Sequence, residues 1–179
     1  GIPFFESALK EHGINLQGII TCGICPKKTT VIASHNSQHL SHLLRHMLKK
    51  SDNIYADSIF KKAGAHVHGY PATWSKSVDA LTSFLQTANI NSQQCVIKDG
   101  SGRSRYNLIA PHHITSLLTW ISHRPYFQFF KESLAITGID GTLRNRMKEL
   151  ESLVKAKTGT LAGASSLSGY LETNSDIFV

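Results

Sequence analysis

The sequence predicts an α+β fold, in which a sheet lobe is assembled from both ends of the chain and a helical lobe is inserted between them. Three observations lead there. β-like runs occupy residues 16–24 and 29–34, and the end of the chain alternates as two strands, at 153–160 and 166–173. In the middle, Leu40, Leu43, Leu44, Met47 and Leu48 recur at i, i+3, i+4, i+7 and i+8, which is helical spacing. With 179 residues, 41% of them hydrophobic, the chain is long enough to bury a core. The expected organisation is one domain, residues 1–36 and 139–179 forming the sheet lobe and 37–138 the helical lobe. A cleft between two such lobes is a natural ligand site.

Each element follows in order. Residues 4–12 read as a short helix closed by Gly13, and the turn at 26–28 separates the two early β-like runs. The Leu/Met helix begins near Ser37, and Lys49 and Lys50 suit its C-terminus, where the helix dipole favours cations. A second helix is expected at 53–63 with Gly64 as its stop, and further helices at 75–88, 114–123 and 126–134. Asp99-Gly100-Ser101-Gly102 is a strong turn signal. After Gly138–Gly141 a short polar helix is expected at 142–151, and the closing strands turn through Gly163.

Charge and composition exclude several classes of function. Lys+Arg number 19 against 12 Asp+Glu, a net +7, which invites a nucleic-acid reading. The basic residues are spread along the chain, however, and the densest group, Arg144, Arg146 and Lys148, is an ordinary polar helix face. A polyanionic surface such as a bacterial wall suits the same charge. No apolar run approaches the roughly 20 residues of a membrane span. The chain opens Gly1-Ile2-Pro3 without an initiator Met, so it is expected to be a processed form or a fragment. Cys22 and Cys25 form a C-x-x-C without a second pair or a thioredoxin-like context, so a loop pair, free or locally bridged, is expected. His39, His42 and His46 share one helix face near His35, but no carboxylate accompanies them, and a solvated face is expected instead of a metal site. No cofactor and no metal are therefore assigned.

Two short elements carry chemistry: Ser51-Asp52-Asn53 at a helix–helix junction, and Lys157-Thr158-Gly159 in a strand. Acyl transfer through a serine needs the leaving amine protonated as its bond breaks. A hydroxyl beside a lysine can relay that proton, a role for Ser51. The amide of Asn53 donates and accepts, and so can hold both lysine and substrate backbone. Lys157 offers positive charge to a terminal carboxylate. Gly159 lets an extended peptide approach the strand, and the N–H of Thr160 can serve as one of two oxyanion donors. Read alone, Ser51–Asn53 is also a good helix N-cap and Lys157–Gly159 an ordinary strand ending.

The two elements resemble two of the three motifs of penicillin-binding proteins and class A β-lactamases. The resemblance is to the low-molecular-mass class C penicillin-binding proteins, the DacB-like D-alanyl-D-alanine carboxypeptidases and endopeptidases. It runs from about Leu9 to the end of the chain. It includes Ala33-Ser34, Ser51–Asp57, Asp99–Leu108, Gly138–Leu143 and Ala156–Leu161. It implies a β-lactamase/transpeptidase-like fold, an acyl-enzyme mechanism on peptidoglycan stem peptides, inhibition by β-lactams and a periplasmic or extracytoplasmic location. It gives Ser51, Asn53 and Lys157 catalytic roles. Thr158, Gly159, Thr160 and Leu161 become substrate-binding residues, and Arg105 and Leu161 lie near the pocket for the side chain preceding the D-alanines. Arg103 departs from the family's usual leucine.

The third motif, S-x-x-K, supplies the attacking serine. Its formal matches, Ser7–Lys10, Ser58–Lys61 and Ser152–Lys155, violate the family's spacing or order. The chain is therefore expected to lack the nucleophile and to be incomplete at both ends. Open sheet edges would then favour association into homo-oligomers. No glutamate lies between Glu11 and Glu132 to activate a deacylating water, so a peptidase is favoured over an efficient β-lactamase. The competing expectations are a non-catalytic wall- or partner-binding module of the same fold and, behind it, a metal- or nucleic-acid-binding module.

Overall fold

The computed structural model describes residues 2–26 and 28–179, so Lys27 of the expected 26–28 turn lies outside the described residues. The chain divides into two compact units, Gly1–Ser37 and Gln38–Val179. In the first, α1 (Ile2–Glu11) is followed by irregular chain. The strands expected at 16–24 and 29–34 are not formed among the described residues. β propensity describes side chains that fit a half-buried pleated surface. Here Ile19, Ile24, Val31 and Ile32 are instead exposed, with no strand paired against them.

The second unit contains five α-helices: α2 (Leu40–Lys50), α3 (Asn53–His68), α4 (Trp74–Thr87), α5 (Pro111–Ser122) and α6 (Phe127–Ser133). Gly64 does not stop α3, contrary to expectation. It lies inside the helix where α4 crosses closely, and a Cβ there would meet the Ser77 backbone at 2.6 Å. α5 starts earlier than expected because Pro111 occupies its first turn, where no N–H is needed.

The sheet is antiparallel, in the order β1 (Ala135–Ile136), β2 (Val154–Leu161), β3 (Ala164–Glu172) and β4 (Ile177–Phe178). Among the described residues it is built from the C-terminal part alone and begins at Ala135, inside the span expected to be helical. β2 and β3 form a hairpin in which Lys157 faces Ser168 and Gly159 faces Ser166. The helix expected at 142–151 is replaced by two single 3₁₀ turns, Gly141–Leu143 and Lys148–Leu150. Met147 between them has φ 49, which ends any helical run and lets its side chain join the buried Ala135, Leu143 and Ala156.

The core places this sheet against the helices. Leu118 of α5, Leu134 and Tyr170 of β3 pack together with Phe127 and Phe130. The Tyr170 hydroxyl donates to the Leu118 carbonyl at 2.8 Å, and burial pushes its pKa up to about 12. Glu172 accepts from both Lys131 of α6 and Lys155 of β2, tying helix to hairpin. Burial alone would raise the Glu172 pKa, but these two lysines outweigh it and hold the carboxyl below its ordinary value.

Candidate active site

Two local structures bring the site together. The first is the corner between α2 and α3. Asp52 caps α3, one carboxylate oxygen accepting from Ile54 N at 3.0 Å and Tyr55 N at 3.1 Å. Its other oxygen meets His46 Nε2 at 3.2 Å. The backbone bond from Tyr55 outweighs the other influences, and the Asp52 pKa lies below its ordinary value. With the cap fixed, Ser51 takes the left-handed conformation, φ 57 and ψ 45, and its N–H closes onto the Met47 carbonyl. A non-glycine residue in that region is strained, so the corner holds a serine where glycine would fit more easily.

The second structure is the strand β2. Lys157 is half-buried, and its ammonium donates to the Ser51 hydroxyl at 2.6 Å and to the Thr158 carbonyl. Burial pushes the Lys157 pKa down from its ordinary value. The pairing of β1 with β2 ends at Ala156, so from Lys157 onward that edge of β2 carries no strand among the described residues. Gly159 has no side chain to offer, and a Cβ there would meet the Ser166 hydroxyl at 2.4 Å.

A cleft of about 670 Å³ joins these parts. Ser51, Asn53, Lys157, Thr158, Gly159, Thr160 and Leu161 all line it. Arg105 does not; its guanidinium donates at 2.7 Å to the carbonyl of Ala162, which does line the cleft. Arg103 lines it instead, with Ser101 and Gly102. Asp57 holds that loop by accepting from Gly100 N and Ser101 N, each at 3.0 Å, and Asp99 accepts from Gly102 N, Ser104 N and Asn107. Ser165 and Ser166 complete the lining from β3, where sequence reading saw only an alternating strand. Their positions opposite Thr160 and Gly159 follow from the hairpin register, which Gly163 at the turn could have indicated.

Other candidates fall elsewhere. Ser58 is exposed on α3 and Ser152 precedes β2, and neither lines the cleft. Cys22 and Cys25 are exposed free thiols. No group of three or more potential metal ligands converges among the described residues, and no helix there is long and apolar enough to cross a membrane. A larger apolar hollow, about 800 Å³, lies between α5 and the sheet, lined by Ile109, Ile114, Leu118 and Phe178 without convergent charged groups.

The D-Ala-D-Ala carboxypeptidase 3 (S13) family matches residues 3–178. The chain belongs to that family. It is 35% identical over 170 residues to the D-alanyl-D-alanine carboxypeptidase DacB of Haemophilus influenzae, covering 93% of this chain and 36% of that protein. It is 34% identical over 177 residues to a D-alanyl-D-alanine carboxypeptidase of Actinomadura sp., covering 93% of this chain and 33% of the relative. Among solved structures, penicillin-binding protein 4 of Haemophilus influenzae in complex with a β-lactam superimposes with a TM-score of 0.88 at 33% identity. That match covers 97% of this chain and 41% of the other. The α+β, β-lactamase/transpeptidase-like fold implied by the resemblance is thereby borne out. The chain spans about a third of the length of the curated relatives it matches.

Proposed function

We propose that this S13-family chain forms two walls of the active cleft of a serine-type D-alanyl-D-alanine carboxypeptidase or endopeptidase acting on peptidoglycan stem peptides. The observation that carries the reading is the 2.6 Å bond from Lys157 Nζ to Ser51 Oγ beside an unpaired strand edge. An extended peptide adds to that edge by β-type pairing, and Gly159 lets its backbone come close. Lys157 attracts the terminal carboxylate and, through Ser51, supplies a proton to the departing D-alanine. Asn53, at the first turn of α3, orients the lysine and the substrate amide. The Thr160 N–H faces the carbonyl oxygen as negative charge develops there. Arg105 acts at the side-chain pocket by holding Ala162, and Leu161 and Arg103 face the residue preceding the D-alanines.

The attacking serine belongs to none of the three S-x-x-K matches in this chain. β-Lactams mimic the D-alanyl-D-alanine terminus and acylate the attacking serine. The setting is extracytoplasmic, where stem peptides are found, and self-association through open sheet edges accompanies the isolated chain. Incubation with labelled penicillin followed by mass spectrometry tests the assignment. No adduct is expected on this chain, and one stoichiometric adduct on the Haemophilus influenzae relative as the positive control. An adduct on Ser7, Ser58 or Ser152 would overturn it.

A further inference from the structure

The stretch Gly138–Leu143 does not line the cleft. Its contacts reach both walls of the cleft. The Asp140 carboxylate accepts from Lys49 Nζ and, through its other oxygen, from Ile136 N at 3.0 Å. Lys49 lies two residues before Ser51, and its ammonium also donates to the Leu134 carbonyl at 3.0 Å. Gly141, at φ +58, lies against the same residue, because a Cβ there would stand 2.8 Å from the Lys49 carbonyl oxygen. No other residue type fits that approach without moving α2. One residue on, the Thr142 hydroxyl accepts from the Thr158 hydroxyl at 2.8 Å, and Thr158 follows Lys157 directly. Leu143 is fully buried with Ala135 and Ala156, fixing the turn to the sheet.

We infer that the turn Asp140-Gly141-Thr142 is a spacer that sets the separation of Ser51 Oγ and Lys157 Nζ, with Asp140 and Thr142 as its positioning residues. Asp140 and Gly141 fix the end of α2, Thr142 fixes the strand, and the turn between them is three residues long. Neither side chain touches the hydroxyl–ammonium contact itself. Such a contact is lost once its atoms move apart by about an ångström, so both walls need a common reference. The short turn is that reference. The inference rests on the proposed function for why the spacing matters, but not for its test.

The test reads the Lys157 ammonium directly by ¹⁵N NMR in the full chain without ligand. Hydrogen exchange of that ammonium with water should be slow in the native chain and several-fold faster in S51A, D140N and T142V. Its titration in D140N and T142V should move upward, toward the ordinary lysine value of about 10.4, as water enters. T142S, which keeps the hydroxyl, should behave as the native chain. L85A, which loosens the separate Leu85–Ala88–Ile90 cluster, should leave the Lys157 signal unchanged. If D140N does not fold, T142V decides. Native exchange in T142V, or equal acceleration in L85A, overturns the inference. Failure to bind any D-alanyl peptide would instead count against the functional reading alone.

Discussion

The corner that presents Ser51 and Asn53 and the strand that presents Lys157 are held in different ways. The corner is shaped locally, by bonds among Met47, His46, Asp52, Ile54 and Tyr55, and reaches the rest of the fold through the side chain of Lys49 on Asp140 and Leu134. The strand depends on distant partners, namely β1, β3, Thr142 and the Lys131–Glu172–Lys155 cluster. The corner also stores strain in Ser51, whereas the strand has ordinary extended backbone. In a cleft of this kind, a hydroxyl can be aimed by local strain, while the cation opposite needs the rest of the fold to hold it.

Substitutions that remove the distant supports should therefore cost more than those at the corner. The largest effect is expected from E172Q, which leaves the buried Lys131 and the half-buried Lys155 facing each other without a counter-charge. A loss of about 3 kcal/mol is expected from breaking such a pair, read as a lower urea midpoint with unchanged slope. The same pair gives a pH signature. The Glu172 pKa is depressed in the folded chain, so its contribution is present above the unfolded glutamate value of about 4.3 and is lost as pH falls through the folded value. The native chain should lose stability across that acidic window more steeply than E172Q, and parallel profiles would remove Glu172 from the account.

The corner offers a smaller and more specific effect. S51A and S51G both delete the hydroxyl, but only alanine keeps a Cβ in the left-handed conformation. S51G should be more stable than S51A by about 1 kcal/mol. Equal stabilities would mean that the corner is unstrained in solution.

The same division explains what could be read from the sequence. The helices of the middle were legible because periodicity is local, and so was the β2–β3 hairpin, whose strands flank Gly163. Ser51, Asn53 and the Lys157–Leu161 run were legible as motifs, and their convergence on one cleft was implied by resemblance. The strands expected at 16–24 and 29–34 were not found, because a strand is made by its neighbour and the sequence shows only the propensity. Gly64 read as a stop because its role, close passage of α4, is a tertiary contact. That Arg103 lines the cleft while Arg105 reaches it through the Ala162 carbonyl was not legible for a similar reason. Which of two arginines in a turn faces inward depends on how Asp57 and Asp99 fold that loop, and pattern does not reveal it. Asp140 looked like part of a turn, and nothing nearby in sequence points to Lys49.

The smallest expected effect is a pH dependence of ligand binding. Affinity for a terminal carboxylate should fall as pH rises through the Lys157 value, which burial sets below the ordinary lysine figure of about 10.4. The most direct measurement of the central claim is an NMR titration of the chain with an N-acetylated peptide ending in D-alanyl-D-alanine, repeated on K157Q. The account predicts shifts concentrated at Ser51, Asn53, Arg103 and Lys157–Leu161, and an affinity at least about tenfold weaker in K157Q, the equivalent of one lost charge-assisted hydrogen bond. Shifts centred on the apolar hollow beside α5, or equal binding by K157Q, would contradict it.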